Sequence, residues 1–239
     1  MVTLTNDYFF INGVRCDTVG LSCDTPPIPA MAVQNYTEWV TGKDTPNATP
    51  DGTYNNVQYT LTAYVFLDST PHDTAAIYSY FANARTLTIS RLTGYYYKIQ
   101  KVNSITPTVK YDGKSIVYKI SLTLAPFKYY IDNTETTVTG GSITNPGTRY
   151  SRPIYKITGR ASGNTTTKLT VNGQQLTLSD LTDASTTIYI DTERMLIYDQ
   201  ANTNLMEKSS GILPFLAPGV NTAAVTAGTL AITGNWRSY

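Results

Sequence analysis

The sequence predicts a mainly β protein with one main helix, built as two β-rich halves. Three observations carry this. The 239 residues include forty threonines and 19 tyrosines, types that suit a pleated, half-buried surface. Hydrophobic residues make up 41% and charged residues 15%, enough apolar content for packed cores and too much for a disordered chain. Short period-two runs are separated by clusters of Gly, Pro, Asn and Asp, the pattern of strands and turns.

Along the chain, YFFINGVRCDTVGLSC alternates around Asn12-Gly13, a strong short hairpin signal. Residues 25–56 carry Pro26, Pro27, Pro29, Pro46 and Pro50 and little strand pattern. A loop of that length inside a domain tends to be functional or to wrap a partner. VQYTLTAYVF, 57–66, alternates as a strand. Ser69-Thr70-Pro71 then opens the one convincing helix, DTAAIYSYFANA. Pro71 suits its first turn and Asp73 its dipole, and Ile77, Tyr80 and Phe81 form its apolar stripe. Strands follow at 85–91, 95–103 and 115–124, the first two joined at Thr93-Gly94, and the last period-two run ends at Pro126.

A Thr-, Gly-, Asn- and Ser-rich stretch comes next, giving domains at 1–132 and 153–239 with a linker at 133–152. The second half places strands near 153–159, 166–172, 174–179, 186–191, 194–199 and 229–236, with a tight turn at Asn172-Gly173. That spacing reads as a β-sandwich.

Several function classes are disfavoured. Net charge is +1 and Lys and Arg do not cluster, unlike a phosphate-gripping surface. No run approaches the roughly 20 apolar residues of a membrane span, and MVTLTNDYFF lacks the regions of a signal peptide. Synthesis in the cytoplasm, without membrane insertion, is the expectation. Cys16 and Cys23 read as reduced thiols that a hairpin could bring together. With the single histidine, His72, they cannot complete a four-ligand zinc site.

His72 at a helix start is a poor catalytic base. Asp191, Glu193 and Asp199 could hold calcium or flank a glycosidic bond, but fit turns between strands better. Tyr95-Tyr96-Tyr97 and Tyr129-Tyr130 read chiefly as sheet packing, with at least one of the three inside. The phosphate-loop and dinucleotide patterns are absent. No catalytic, cofactor-binding or metal residue is assigned, and the chain is not expected to be an enzyme.

The order of segments resembles the distal tail (Dit) family of long non-contractile-tailed phages. These segments are FING at Phe10–Gly13, ARTLTISRLTGYYYKIQKV, APFKYYID at Ala125–Asp132, NPG followed by PIYKITG at Pro153–Gly159, KLTVNGQQLTL, IYIDTERMLIYD, and GILPFLAPGVNTAAVTAGTLAITGNWR. The resemblance spans nearly the whole chain. At 239 residues there is no room for the inserted carbohydrate-binding domain that some members carry.

The resemblance implies an N-terminal ring-forming domain with its helix and a C-terminal galectin-like β-sandwich. It implies a virion protein at the tail tip: a hexameric ring joining the tail tube to the tail-associated tip protein, carrying receptor-binding proteins or fibres, with DNA passing through. In that ring the 25–56 segment is expected to reach a neighbouring subunit, and Trp39, Val40, Tyr36 and Tyr54 are the candidate interface residues. The alternatives are a carbohydrate-binding adhesion module acting through the C-terminal sandwich, or a tail tube subunit.

Overall fold

A computed structural model describes residues 7–39, 47–67, 73–111, 113–161, 163, 165–181 and 186–239. The chain divides into two compact units, Met1–Ile131 with Tyr239, and Asp132–Ser238.

The first unit opens with β1 (Phe9–Ile11) and β2 (Val14–Arg15), paired antiparallel. Asn12 and Gly13 have φ of 51° and 78°, the left-handed pair of a tight hairpin turn. Asn12 has a second task. Its Nδ2 donates to Asn83 O at 2.8 Å, and its Oδ1 accepts from the amides of Arg85 and Thr86 at 2.8 and 3.1 Å. One side chain thus ties the first hairpin to the helix exit.

A 3-10 turn, Cys16–Val19, leads to β3 (Ser22–Cys23). A separate two-stranded ribbon follows, β4 (Gln34–Trp39) and β5 (Asn47–Tyr54). Then come β6 (Val57–Phe66), α1 (Thr74–Ala82), β7 (Thr86–Ile89), β8 (Tyr95–Val109) and β9 (Ser115–Tyr130).

The main sheet runs β2-β1-β7-β8-β9-β6-β3. A flat sheet of seven strands would hold its outer strands about 29 Å apart. Only residues 16–21 join β2 to β3, and even fully extended they reach at most about 25 Å. Coiling of Cys16–Val19 shortens that reach. The sheet therefore curls into an open barrel, its inside filled by Phe9, Leu61, Leu87, Tyr118, Ile120 and Leu122, all fully buried.

The helix belongs to the same core through Ile77 and Phe81. Its cap is Asp73, whose carboxylate accepts from the amides of Ala75 and Ala76. The expected start at 69–71, and His72, lie outside the described residues. Tyr80 completes the stripe. Its hydroxyl donates to Val14 O at 2.7 Å and accepts from Ile11 N at 3.1 Å, and burial pushes its phenol above the ordinary tyrosine value.

The strand expected to end at Pro126 runs on to Tyr130. Pro126 is tolerated because it falls in a bulge, where Lys98 alone faces the three β9 residues between Leu124 and Lys128. A missing amide costs little there. Burial also changes phase at this point. Tyr118, Ile120, Leu122 and Leu124 are inward before it, and Ala125, Phe127 and Tyr129 are buried after it. Of the tyrosine triplet, Tyr97 packs inside, while Tyr96 stacks on Tyr129 and Tyr95 meets Tyr130 edge-on.

The second unit contains β10 (Thr136–Thr137), β11 (Ser142–Asn145), β12 (Ile154–Thr158), β13 (Thr167–Val171), β14 (Gln174–Leu178), β15 (Ile188–Asp191), β16 (Leu196–Asp199), β17 (Ser209–Gly211), β18 (Gly219–Val225) and β19 (Thr229–Thr233). Two five-stranded sheets form, β10-β19-β12-β15-β16 and β11-β18-β13-β14-β17. Tyr155, Ile157, Ile188, Ile190 and Ile232 from one share a core with Leu169, Val171, Leu176 and Ala223 from the other. The unit is a β-sandwich.

Residues 133–152, expected as a linker, hold β10 and β11, which pair with β19 and β18. Their composition hides this, because the inward positions include Asn145 and the strands are short. Asn145, 1% exposed, donates to Arg149 O and Leu216 O and accepts from Gly147 N. A Cβ on Gly147 would stand 2.2 Å from Arg237 O, so the NPG segment tolerates no side chain there.

β18 was also unforeseen, since its two buried residues are Asn221 and Ala223. Asn221 is a clamp. It exchanges hydrogen bonds with both backbone groups of Ala217 at 2.8 Å, donates to Gly219 O at 2.8 Å, and accepts from Asn172 Nδ2 at 2.7 Å. Asn172 in turn accepts from Thr222 N. The VNG turn and the PGVN turn are thereby one structure. Asn221→Ala leaves several buried groups unpaired and is expected to cost about 3 kcal/mol. Asp73→Ala, which removes only a helix cap, should cost about 1 kcal/mol. Urea denaturation followed by circular dichroism orders the two.

Candidate functional site: an exposed β-ribbon

The 25–56 segment, expected as an irregular loop, contains the β4–β5 ribbon. Its register is Tyr36↔Pro50, Thr37↔Thr49, Glu38↔Ala48 and Trp39↔Asn47. Pro50 is compatible because each strand of a two-stranded ribbon has a free edge. Between Tyr36↔Pro50 and Gln34↔Tyr54 the register shifts, with three β5 residues opposite Asn35. Asp51 builds this bulge: its Oδ1 accepts from the amide and hydroxyl of Thr53, both at 2.7 Å, across Gly52 at φ 83°. Asn35 Nδ2 adds a bond to Thr53 Oγ1 at 2.9 Å. At the base, Asn55 N donates to Val33 O.

The ribbon has its own hydrogen bonds but little cover from the chain. Residues 36–38 and 48–53 are exposed. A lone two-stranded ribbon is marginal in water. The irregular segment leading into it and the start of β4 are apolar as well as open: Ile28, Met31, Val33 and Tyr36 are 61%, 71%, 66% and 55% exposed. That leading segment is held at a few points, with Ala32 buried and Tyr59 Oη donating to Pro27 O at 2.7 Å. So many large apolar side chains left in water within nine residues is the mark of a surface that another molecule covers.

The four expected interface residues fall in different places. Tyr36 lies exposed in β4. Trp39 ends β4, paired through its backbone with Asn47. Val40 lies outside the described residues. Tyr54 sits at the ribbon base in an aromatic cluster. Its ring is 5.1 Å from Phe127 and 5.8 Å from Tyr239, with its hydroxyl 2.8 Å from that of Tyr239. Ile28, Met31 and Val33 escaped the sequence reading. The signal was present as apolar residues with neither helical nor strand period among prolines.

The acidic residues do not form a site. Asp191 is 4% exposed and its Oδ1 accepts from the amides of Glu193 and Arg194. Glu193 lies in the turn after β15 rather than on the strand. Asp199 accepts from the amides of Ala201 and Thr203, and the Thr203 amide chiefly holds its carboxyl below the usual range. The Asp191 and Asp199 carboxylates each shape a turn of their own. Among the described residues no three His, Cys, Asp or Glu side chains gather as metal ligands, and no helix is long and apolar enough to cross a membrane.

No family model and no curated protein matches the chain. Among solved structures, it resembles the crystal structure of the Dit (gp 19.1) protein of phage SPP1, described as a paradigm of the hub adsorption apparatus in phages that infect Gram-positive bacteria. The TM-score is 0.70 at 16% sequence identity, covering 95% of this chain and 98% of that one. The resemblance seen in the order of sequence segments therefore extends to the fold.

The two ribbon tyrosines are expected to respond differently to truncation. Tyr36→Ala should change stability by less than about 0.5 kcal/mol, as an exposed residue does. Tyr54→Ala, which removes ring packing and a hydroxyl contact, should cost about 2 kcal/mol. Thermal melts of the two variants check this.

Proposed function

We propose that this chain is a structural virion protein, the distal tail subunit at the tip of a long non-contractile phage tail. The observation that carries the proposal is the fold likeness to the SPP1 Dit protein over 95% of the chain. The SPP1 protein is described as a paradigm of a hub adsorption apparatus, and in this chain the Asp191 and Asp199 carboxylates are spent on turns.

In this role the chain forms a ring, six copies by the family resemblance, made in the host cytoplasm and assembled into the particle. The tail tube lies above the ring, the tail-associated tip protein below, and receptor-binding proteins or fibres attach outside. DNA passes through without specific binding. A net charge of +1 suits that passage, since a strongly cationic bore would retain the polyanion. The ribbon and its apolar lead, 28–54, cover a neighbouring subunit. A ring places the same patch against a different patch on the next copy, so the exposed surface is buried at every junction.

Native mass spectrometry of the purified chain, with negative-stain imaging, tests the ring. About six copies supports it, and a monomer at high concentration that also fails to join a tail-tube end overturns it. Within an assembling protein, Trp39→Ala is expected to weaken subunit association at least tenfold while circular dichroism stays unchanged, because buried aromatic anchors dominate interface energetics.

A further inference from the structure

The seam of the open barrel carries two sulfurs. Cys16 directly follows β2, one edge of the main sheet, and Cys23 ends β3, the other edge. Both pack on the same apolar core, Cys16 at 2% exposure and Cys23 partly exposed. The 3-10 turn that begins at Cys16 closes through Gly20 N to Asp17 O and Leu21 N to Cys16 O, turning the chain back so that each thiol perturbs the ionisation of the other. Cys23 Sγ also lies 3.1 Å from Asp7 O.

We propose that Cys16 and Cys23 are a redox pair that closes to a disulfide in oxidising surroundings and staples the two edges of the barrel. The inference stands on the seam geometry and is independent of the tail reading.

A disulfide requires the two sulfurs to close to about 2.05 Å. The 3-10 turn and the two-residue strand that carry them are short elements that can adjust to that distance. In the reduced pair Cys23, helped by the Phe9 amide, holds the Cys16 thiol down to about 7, and Cys16 pushes Cys23 up. Once Cys23 carries the mixed disulfide, the Phe9 amide and the Arg15 charge still favour the Cys16 thiolate that closes the bond.

With a low-molecular-weight disulfide as oxidant, Cys23, the more accessible sulfur, attacks first. It gives up its proton, forms a mixed disulfide and expels one thiolate of the reagent. Cys16 thiolate then attacks Cys23 Sγ and expels the second. Two protein thiols and one reagent disulfide become one protein disulfide and two reagent thiols. The raised Cys23 makes the first step slow, and the stabilised Cys16 thiolate makes the product reducible. Disulfides persist outside cells and not in a reducing cytosol, so the seam is open in one setting and stapled in the other.

The test uses the full chain, reduced, then incubated with oxidised glutathione. Free thiols are alkylated in denaturant and peptides are mapped by mass spectrometry. The expected result is a Cys16–Cys23 cross-linked peptide and a melting temperature about 5 °C higher, reversed by dithiothreitol. In C16A, the mixed disulfide should persist on Cys23. The proposal is overturned if glutathione remains on Cys23 of the unaltered chain while Cys16 is alkylated. It is equally overturned if both thiols stay alkylatable under oxidation that cross-links the unfolded chain.

Discussion

Strand β9 is bonded on both sides, to every residue of β6 and along most of β8, and the rest of the first unit takes its position from that double pairing. A strand held on both edges cannot slip by one residue without turning its buried set outward. Tyr118, Ile120, Leu122 and Leu124 thus fix the register of both neighbours at once. The curl of the sheet, the site of the helix against it and the approach of β2 to β3 follow from that register. β8 has further register shifts at Gln100 and Asn103; at the bulge opposite Lys98 the burial of β9 changes phase, and Pro126 sits there because an amide is not needed.

The legible parts of the sequence were those in which burial and local chemistry agree. In β6, alternate residues are apolar and buried, so a period of two could be read directly. At Asn12-Gly13 and Asn172-Gly173 the turn geometry needs φ above zero at both positions, and the residues announce it. The ribbon, β10, β11 and β18 were not legible for a shared reason. Their inward or paired positions are mostly Asn, Ala or Thr, with single apolar residues such as Ile143 in β11, so no period of two stands out and the strands rest largely on hydrogen bonding. The ribbon had no inward face within the chain to leave a pattern, and its exposed apolar lead resembled a loop.

That difference separates core from surface energetics in the ribbon. Its own hydrogen bonds replace bonds to water and contribute modestly, while Ile28, Met31, Val33 and Tyr36 gain nothing until something covers them. Burying such side chains is worth about 1.5–3 kcal/mol each. The Asp51–Thr53 bulge and the Tyr54 ring cluster pre-order the ribbon at its base, which lowers the entropy that docking must overcome. A rigid base with an uncovered arm is what a docking element requires.

The second unit solves a related problem with neutral side chains. Among that unit's described residues, asparagine occupies three of the five left-handed non-glycine positions, at residues 172, 202 and 235. It tolerates that backbone and keeps an amide free to bond across the fold. Asn133 and Asn235 exchange two bonds at 2.8 and 2.6 Å, and Asn172 and Asn221 bridge two turns. Among the described residues the ion pairs each have an exposed partner, where solvent and salt screen them. Apart from Asp191, whose buried carboxylate accepts two turn amides, polar satisfaction inside this unit rests chiefly on amides and hydroxyls, whose hydrogen bonds change little with salt or moderate pH. This explains how a chain with so few charges keeps two separate cores and still orders long turns between short strands.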